Sequence, residues 1–169
     1  MDVVFIKEQF FMMNENLEEM LDPRDIVKQT LRQYLFLNVK YRDNNILIPL
    51  RSDIPKNNLK ICYPVPSRTR PNAGLDYRKM LIINDDEYIE KPEEQRLANS
   101  QLKIITDNYE TIKSAAIKYV NGYIKAAKKN RERKDYDYKF STLHNFHEEL
   151  GINSAVKEVA PTKEMIDND

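Results

Sequence analysis

Apolar and polar positions divide the chain into two regimes: short β-branched or aromatic runs up to about residue 84, and helical spacing from Pro92 onward. VVFIK at 3–7 has strand character, and EQFFMMNENLEEML after it places Phe10, Met13, Leu17, Met20 and Leu21 at helical intervals, so the pattern predicts a helix closed by Asp22-Pro23. PRDIVKQTLRQ is a polar connection with room for one helical turn. YLFLNVKY at 34–41 and NILIPL at 45–50 flank Arg42-Asp43-Asn44 and predict an antiparallel hairpin, with Asp43-Asn44 taking the left-handed backbone of its turn. KICYPV at 60–65 predicts a third strand, PSRTRPNAG an irregular loop, and LDYRKMLIIN at 75–84 a further strand.

In the second regime Leu97, Leu102, Ile105, Ile112, Ala116, Val120 and Ile124 recur at helical intervals, with Asp107-Asn108 breaking the run into two helices. FSTLHNFHEEL at 140–150 predicts a last helix capped by Ser141 and stopped by Gly151, ahead of a flexible tail. Strands followed by helices define an α+β class with a mostly antiparallel sheet. The expected organisation is a single domain over 1–151 and a tail over 152–169.

The charge balance is 27 basic against 27 acidic residues, so it is local clustering that bears on partners. Basic residues gather between Lys113 and Lys139, including KKNRERK at 128–134, either as a solvated helix end or as a phosphate-binding face. Cys62, the one cysteine, reads as a buried thiol and fits a reducing cytoplasm. No run approaches the ~20 apolar residues of a membrane span, so no membrane partner is expected.

Gly74, Gly122 and Gly151 are the only glycines, too few for a Walker loop or a dinucleotide fingerprint, and no cofactor is expected. His144 and His147 have only Glu148 near them and read as surface or packing residues, so no metal is expected. Arg51-Ser52, at the end of the second hairpin strand, offers a guanidinium and a hydroxyl that can hold a phosphate; the structural alternative is a turn cap by Ser52 and an Arg51–Asp53 pair.

Taken in order, VVFIKEQFFMMNENL, RQYLFLNVKYRDNNILIPLRSD, GLDYRKMLIIND, EEQRLANSQLKII and KFSTLHNFHEEL resemble the ToxN/AbiQ family of type III toxin-antitoxin endoribonucleases, in its CptN-like branch. The resemblance reaches to about Gly151, and the apolar-Pro-Leu-x-Ser end of the hairpin is its most specific part. It implies a twisted, mostly antiparallel sheet flanked by helices, as in the Kid/MazF-like toxin barrel. It also implies a bacterial cytoplasmic phage-defence toxin that cleaves RNA without metal through 2′-hydroxyl attack, leaving a 2′,3′-cyclic phosphate. The implied partners are substrate RNA and a small pseudoknot antitoxin RNA, held in a closed toxin–RNA assembly.

Carried onto this chain, the family's Thr-Ser pair falls on Arg51 and Ser52, and its basic residue before the hairpin on Arg32. The family lysine after Ser-Pro falls nearest Lys56, and its loop tyrosine has no match, leaving Lys28 or Thr30 in its place. Arg51, Ser52 and Arg32 would cradle the phosphate, with Lys56 or Lys28 moving protons. RNA contacts are expected at Arg68 and Arg70, at Tyr77, Arg78 and Lys79, and at Lys125, Lys128, Lys129 and Arg131, with Tyr119, Tyr123, Tyr136 and Tyr138 available for base stacking. For the tyrosines, packing in the core is the competing reading. The competing functions are a non-catalytic RNA-binding regulatory module on the same fold and a protein-interaction domain.

Overall fold

The computed structural model describes residues 2–55, 61–94 and 96–152. Strand β1 (Asp2–Ile6) leads into helix α1 (Glu8–Met13) and the short helix α2 (Ile26–Thr30), after which β2 (Tyr34–Tyr41) and β3 (Asn44–Arg51) form the hairpin. β4 (Cys62–Pro64), β5 (Gly74–Asp76), β6 (Leu81–Ile82) and β7 (Ile89–Glu90) follow, then α3 (Asn99–Asp107) and α4 (Tyr109–Ala127). The sheet runs β4-β5-β3-β2-β1-β7, with β6 also on β3, and every pairing is antiparallel. This is α+β with a seven-stranded sheet that does not close into a barrel, a correction to the barrel implied by the resemblance.

The hairpin pairs Tyr41 with Asn44, so its turn residues are Arg42 (φ 49°) and Asp43 (φ 68°), one position earlier than expected. Two left-handed residues match the twist of the flanking strands, and Asn44 is instead buried, donating to Glu149 O at 2.7 Å. The strand expected over 75–84 is two strands. Asp76 accepts from the Arg78 amide at 3.1 Å and turns Tyr77–Lys79 into one 3₁₀ turn, so β5 pairs with the end of β3 and β6 with its start. Gly74 permits this crowding, since a Cβ there would lie 2.5 Å from Tyr63 O.

Helix α1 stops at Met13, eight residues short of the expected end. Asn14 turns its amide back to Phe10 O at 2.8 Å, and Glu19 and Asp22 adopt positive φ, so Leu17 and Met20 reach the core from a loop. The helix expected over 140–150 is a 3₁₀ turn at Thr142–Asn145, where Ser141 accepts from Leu143 N at 3.2 Å, followed by further turns to Gly151 (φ 64°). The helix break at Asn108 and the long helix α4 follow the sequence pattern.

Ile112, Ala116, Tyr119, Val120, Tyr123, Ile124 and Ala127 form the buried stripe of α4 within one core with Leu35, Ile46, Leu47, Ile48, Leu75 and Leu81. Each such large side chain contributes roughly 1.5–3 kcal/mol on burial. The helix ends at a left-handed Asn130, with Asn130 N on Ala127 O and Arg131 N on Ala126 O, which turns the basic run away from the core.

Candidate functional site

Three segments of low sequence proximity leave the sheet at the C-terminal end of β3. Leu50 pairs with Leu75 and Arg51 with Gly74, while Pro64 of β4 also faces Gly74, so the 65–73 loop departs beside Arg51 and Ser52. Ile54 N bonds Asn72 O at 2.9 Å and ties the turn after Ser52 to that loop. Leu50 N bonds Gln33 O at 2.9 Å, which places Arg32 at the same end.

Arg51 donates through Nη1 to Asp76 Oδ2 at 2.8 Å, not to Asp53. Asp76 is completely buried and also receives Arg78 Nε at 3.1 Å and Nη2 at 3.0 Å, so its two oxygens serve four donors. Burial alone would raise the Asp76 pKa, but the hydrogen bonds and charge of Arg78, then of Arg51, hold it below the usual carboxylate value. The Arg51 side chain stays 23% exposed, and only its Nη1 is engaged by Asp76. Ser52 is exposed, and its hydroxyl engages no side chain or backbone group among the described residues.

Arg32 is 15% exposed, pairs with Asp22 through Nη2, and donates through Nη1 to Leu50 O at 3.4 Å. Its Nε is buried without a partner among the described residues. Arg32 and the Arg51-Ser52 pair thus lie at the same end of β3, with each guanidinium already oriented by a carboxylate. Arg68 and Arg70 are exposed on the adjoining loop, in a turn closed by Ser67 N to Arg70 O at 3.0 Å.

Other expected site residues have different roles. Thr30 Oγ1 turns back on its own helix, to Ile26 O at 2.9 Å and Val27 O at 3.1 Å, and Lys28 is exposed and paired with Asp25 at 3.2 Å. Lys56 lies outside the described residues. Tyr77 is buried against Tyr119, and Arg78 is buried on Asp76, so neither is a surface contact. Lys79 is only 11% exposed, because its ammonium bonds Glu19 O at 2.6 Å, Phe140 O at 2.8 Å and Glu19 Oε2 at 3.3 Å. Contrary to the expectation of surface RNA contacts, these three residues form a turn packed under the sheet end.

Lys125, Lys128 and Lys129 are exposed, and no described carboxylate pairs with them, whereas Arg131 is paired with Asp135 at 2.8 Å. Three adjoining hollows of about 340, 490 and 210 Å³ share Tyr138 and run from Ile61 and Tyr77, past Lys118, Asn121 and Lys125, to Lys129 and Arg131. Tyr138 lies over Gly122, where a Cβ would be 2.1 Å from the phenol oxygen. Tyr119 and Tyr123 are core, leaving Tyr136 and Tyr138 as the accessible rings.

The sequence pattern also passed over a cluster. The buried Tyr123 hydroxyl sits 2.8 Å from His144 Nδ1 and 2.8 Å from His147 Nε2. Burial lowers the pKa of both imidazoles. The signal available in sequence was two histidines three apart in an aromatic-rich segment. Cys62 is buried, and burial followed by the Asp76 charge pushes its thiol up to about 12. Among the described residues no group of three or more His, Cys, Asp or Glu converges as a metal site, and no helix is long and apolar enough to cross a membrane.

Comparison with known proteins returned no matching family model, no matching curated protein and no matching solved structure.

Proposed function

We propose that the chain is an endoribonuclease of the ToxN/AbiQ kind, acting on RNA at the end of β3 and silenced by a small structured RNA. The observation that carries the reading is the placement of Arg32, Arg51 and Ser52 at one end of β3, with Arg51 held by the buried Asp76. In the proposed step the 2′-oxygen attacks its neighbouring phosphorus, the bond to the 5′-oxygen breaks, and a 2′,3′-cyclic phosphate remains. Negative charge gathers on the non-bridging oxygens, where the Arg51 guanidinium and the Ser52 hydroxyl donate. Arg32 adds positive charge from the other side of Leu50. The 2′-hydroxyl proton leaves to a base and the 5′-oxygen gains one from an acid; Lys56, four residues beyond Ser52, is the proposed proton-transfer group.

The basic trough along α4 supplies a path for the bound strand, with Lys125, Lys128 and Lys129 on phosphates and Tyr138 or Tyr136 against bases. Binding of a pseudoknot antitoxin RNA in a closed assembly, in the bacterial cytoplasm, belongs to the same proposal. A second reading, an RNA-binding module without catalysis, is favoured by one observation: both cradle arginines are already engaged by carboxylates.

The experiment is incubation of RNA-stripped protein with a mixed RNA pool in EDTA, beside Ser52→Ala and Arg51→Ala variants, with sequencing of the cut ends. Cleavage at one short motif with cyclic phosphate ends, lost in both variants, is the expected result. Intact RNA with salt-dependent binding would replace the enzyme by the binding module.

A further inference from the structure

We infer that His144, Tyr123 and His147 form a proton-sensitive latch that fastens residues 139–150 onto α4 and steadies the loop holding Arg32, and that it opens when His144 takes up a second proton. The argument begins with a carbonyl. His144 Nε2 lies 3.3 Å from Lys139 O, which can only accept, so Nε2 carries the hydrogen and Nδ1 of the neutral ring is an acceptor. Tyr123 therefore donates to His144 Nδ1, and its oxygen accepts from His147 Nε2. Three hydrogens meet three acceptors, and the chain runs in one direction only.

A second proton on His144 sits on Nδ1 and faces the phenol. Tyr123 would then receive two N–H groups, and its own hydrogen, on a side chain with no exposure, would lose its acceptor. An orphaned buried donor of this kind is costly. A second proton on His147 goes to Nδ1 and leaves the chain intact, so the two histidines are not equivalent.

The surroundings favour the neutral state. For His144 burial is the largest influence, opposed by the Lys139 carbonyl and by Glu18 and Glu132, and reinforced by Arg133. For His147 burial leads, with Glu132 opposing it and His144 and Arg133 reinforcing it. Glu18 is itself tied to Arg133 at 2.8 Å, and the Tyr138 ring packs edge-on against Tyr123. Since the folded-state pKa lies below the unfolded one, the latch contributes fully above the ordinary imidazole value and is lost as pH falls through the folded one.

The latch reaches the strand-end site through the loop after α1. Asn145 bonds both the amide and the carbonyl of Glu18, at 2.8 and 2.9 Å, and Lys79 joins Glu19 to Phe140. The same loop continues to Asp22, which holds Arg32. The latch stands apart from the ribonuclease reading; only its consequence for RNA cleavage rests on that reading.

The test uses the full-length protein without RNA. Imidazole nitrogen NMR at pH 7.5 is expected to show the Nε2–H tautomer for both rings, with His144 titrating below the ordinary histidine value. Amide hydrogen exchange, corrected for intrinsic rates, is expected to show protection of 14–22 and 139–150 falling several-fold more between pH 7.5 and 5.5 than protection of α4. His144→Gln should remove that excess and His147→Gln should keep it. An Nδ1–H tautomer at His144 in the wild-type protein, or a uniform loss of protection across the chain, would overturn the latch. A working latch in a protein that leaves RNA intact would instead remove the ribonuclease reading alone.

Discussion

Replacing Asp76 by Asn keeps the volume of the side chain and removes its charge beneath two guanidiniums. The native carboxylate serves four donors, one each from Arg51 Nη1 and the Arg78 amide, Nε and Nη2. Asn offers one acceptor oxygen and turns an N–H₂ group toward donors, so at least two of those bonds are lost in a site without water access. Breaking a buried ion pair from one side costs about 3–5 kcal/mol, and the partial exposure of Arg51 places this case near ~3 kcal/mol. Urea unfolding should then show a midpoint lower by about 1.5–2 M at an unchanged slope of roughly 1.5–2 kcal/mol/M.

The pH profile gives a second readout. Because the folded Asp76 pKa is lowered, its contribution is present above the ordinary carboxylate value and disappears as pH falls through the folded one. Asp76→Asn should therefore flatten the acid limb of stability as well as lowering its plateau. A midpoint change smaller than about 0.5 M, or an acid limb unchanged from wild type, would show that the Arg51–Asp76–Arg78 group is not the anchor of the strand end.

Gly122→Ala should destabilise by about 1–3 kcal/mol through contact with Tyr138, and Tyr138→Phe, by removing the nearest atom, should recover most of that loss in thermal unfolding. Joint replacement of Lys125, Lys128 and Lys129 by Gln should reduce the slope of log affinity against log salt for single-stranded RNA by about 2, at ~0.7 per phosphate contact, without altering the melting temperature. A slope unchanged in filter-binding titrations would move the RNA path off α4. Cys62 should react with a thiol reagent at pH 8 at least roughly a hundredfold more slowly than a free cysteine, and unfolding should restore the ordinary rate.

The elements most legible in the sequence are those set by neighbouring residues. The β2–β3 hairpin, the break at Asn108 and the positive-φ stop at Gly151 are all local events. Asn44 suits a turn by its residue type, yet a buried bond to Glu149 O, far along the chain, assigns it to the strand. The helix through Leu21 failed for a related reason: helical spacing describes Leu17 and Met20, but a loop can present the same side chains to the core. Arg51 and Ser52 were legible as a pair, while the carboxylate that aims Arg51 comes from a strand 25 residues on. Tyr77, Arg78 and Lys79 look like a surface cluster in composition, and only the 3₁₀ turn buries Tyr77 and Arg78. The histidines could not be linked to Tyr123, since that bond spans 21 residues for His144 and 24 for His147.

Besides local bonds from Gln29 and Arg32, the loop from Asn14 to Asp22 is braced by residues that come much later in the chain: Lys79, Arg133 and Asn145. During synthesis, β1 to β3 can pair while this loop still lacks its bonds to Lys79, Arg133 and Asn145. A ribosome-bound chain ending before Arg133 should have a protease-sensitive 14–22 loop beside a formed hairpin, and resistance should arrive with the last segment. The order of translation thus makes the bracing of this loop one of the final events in the birth of the molecule.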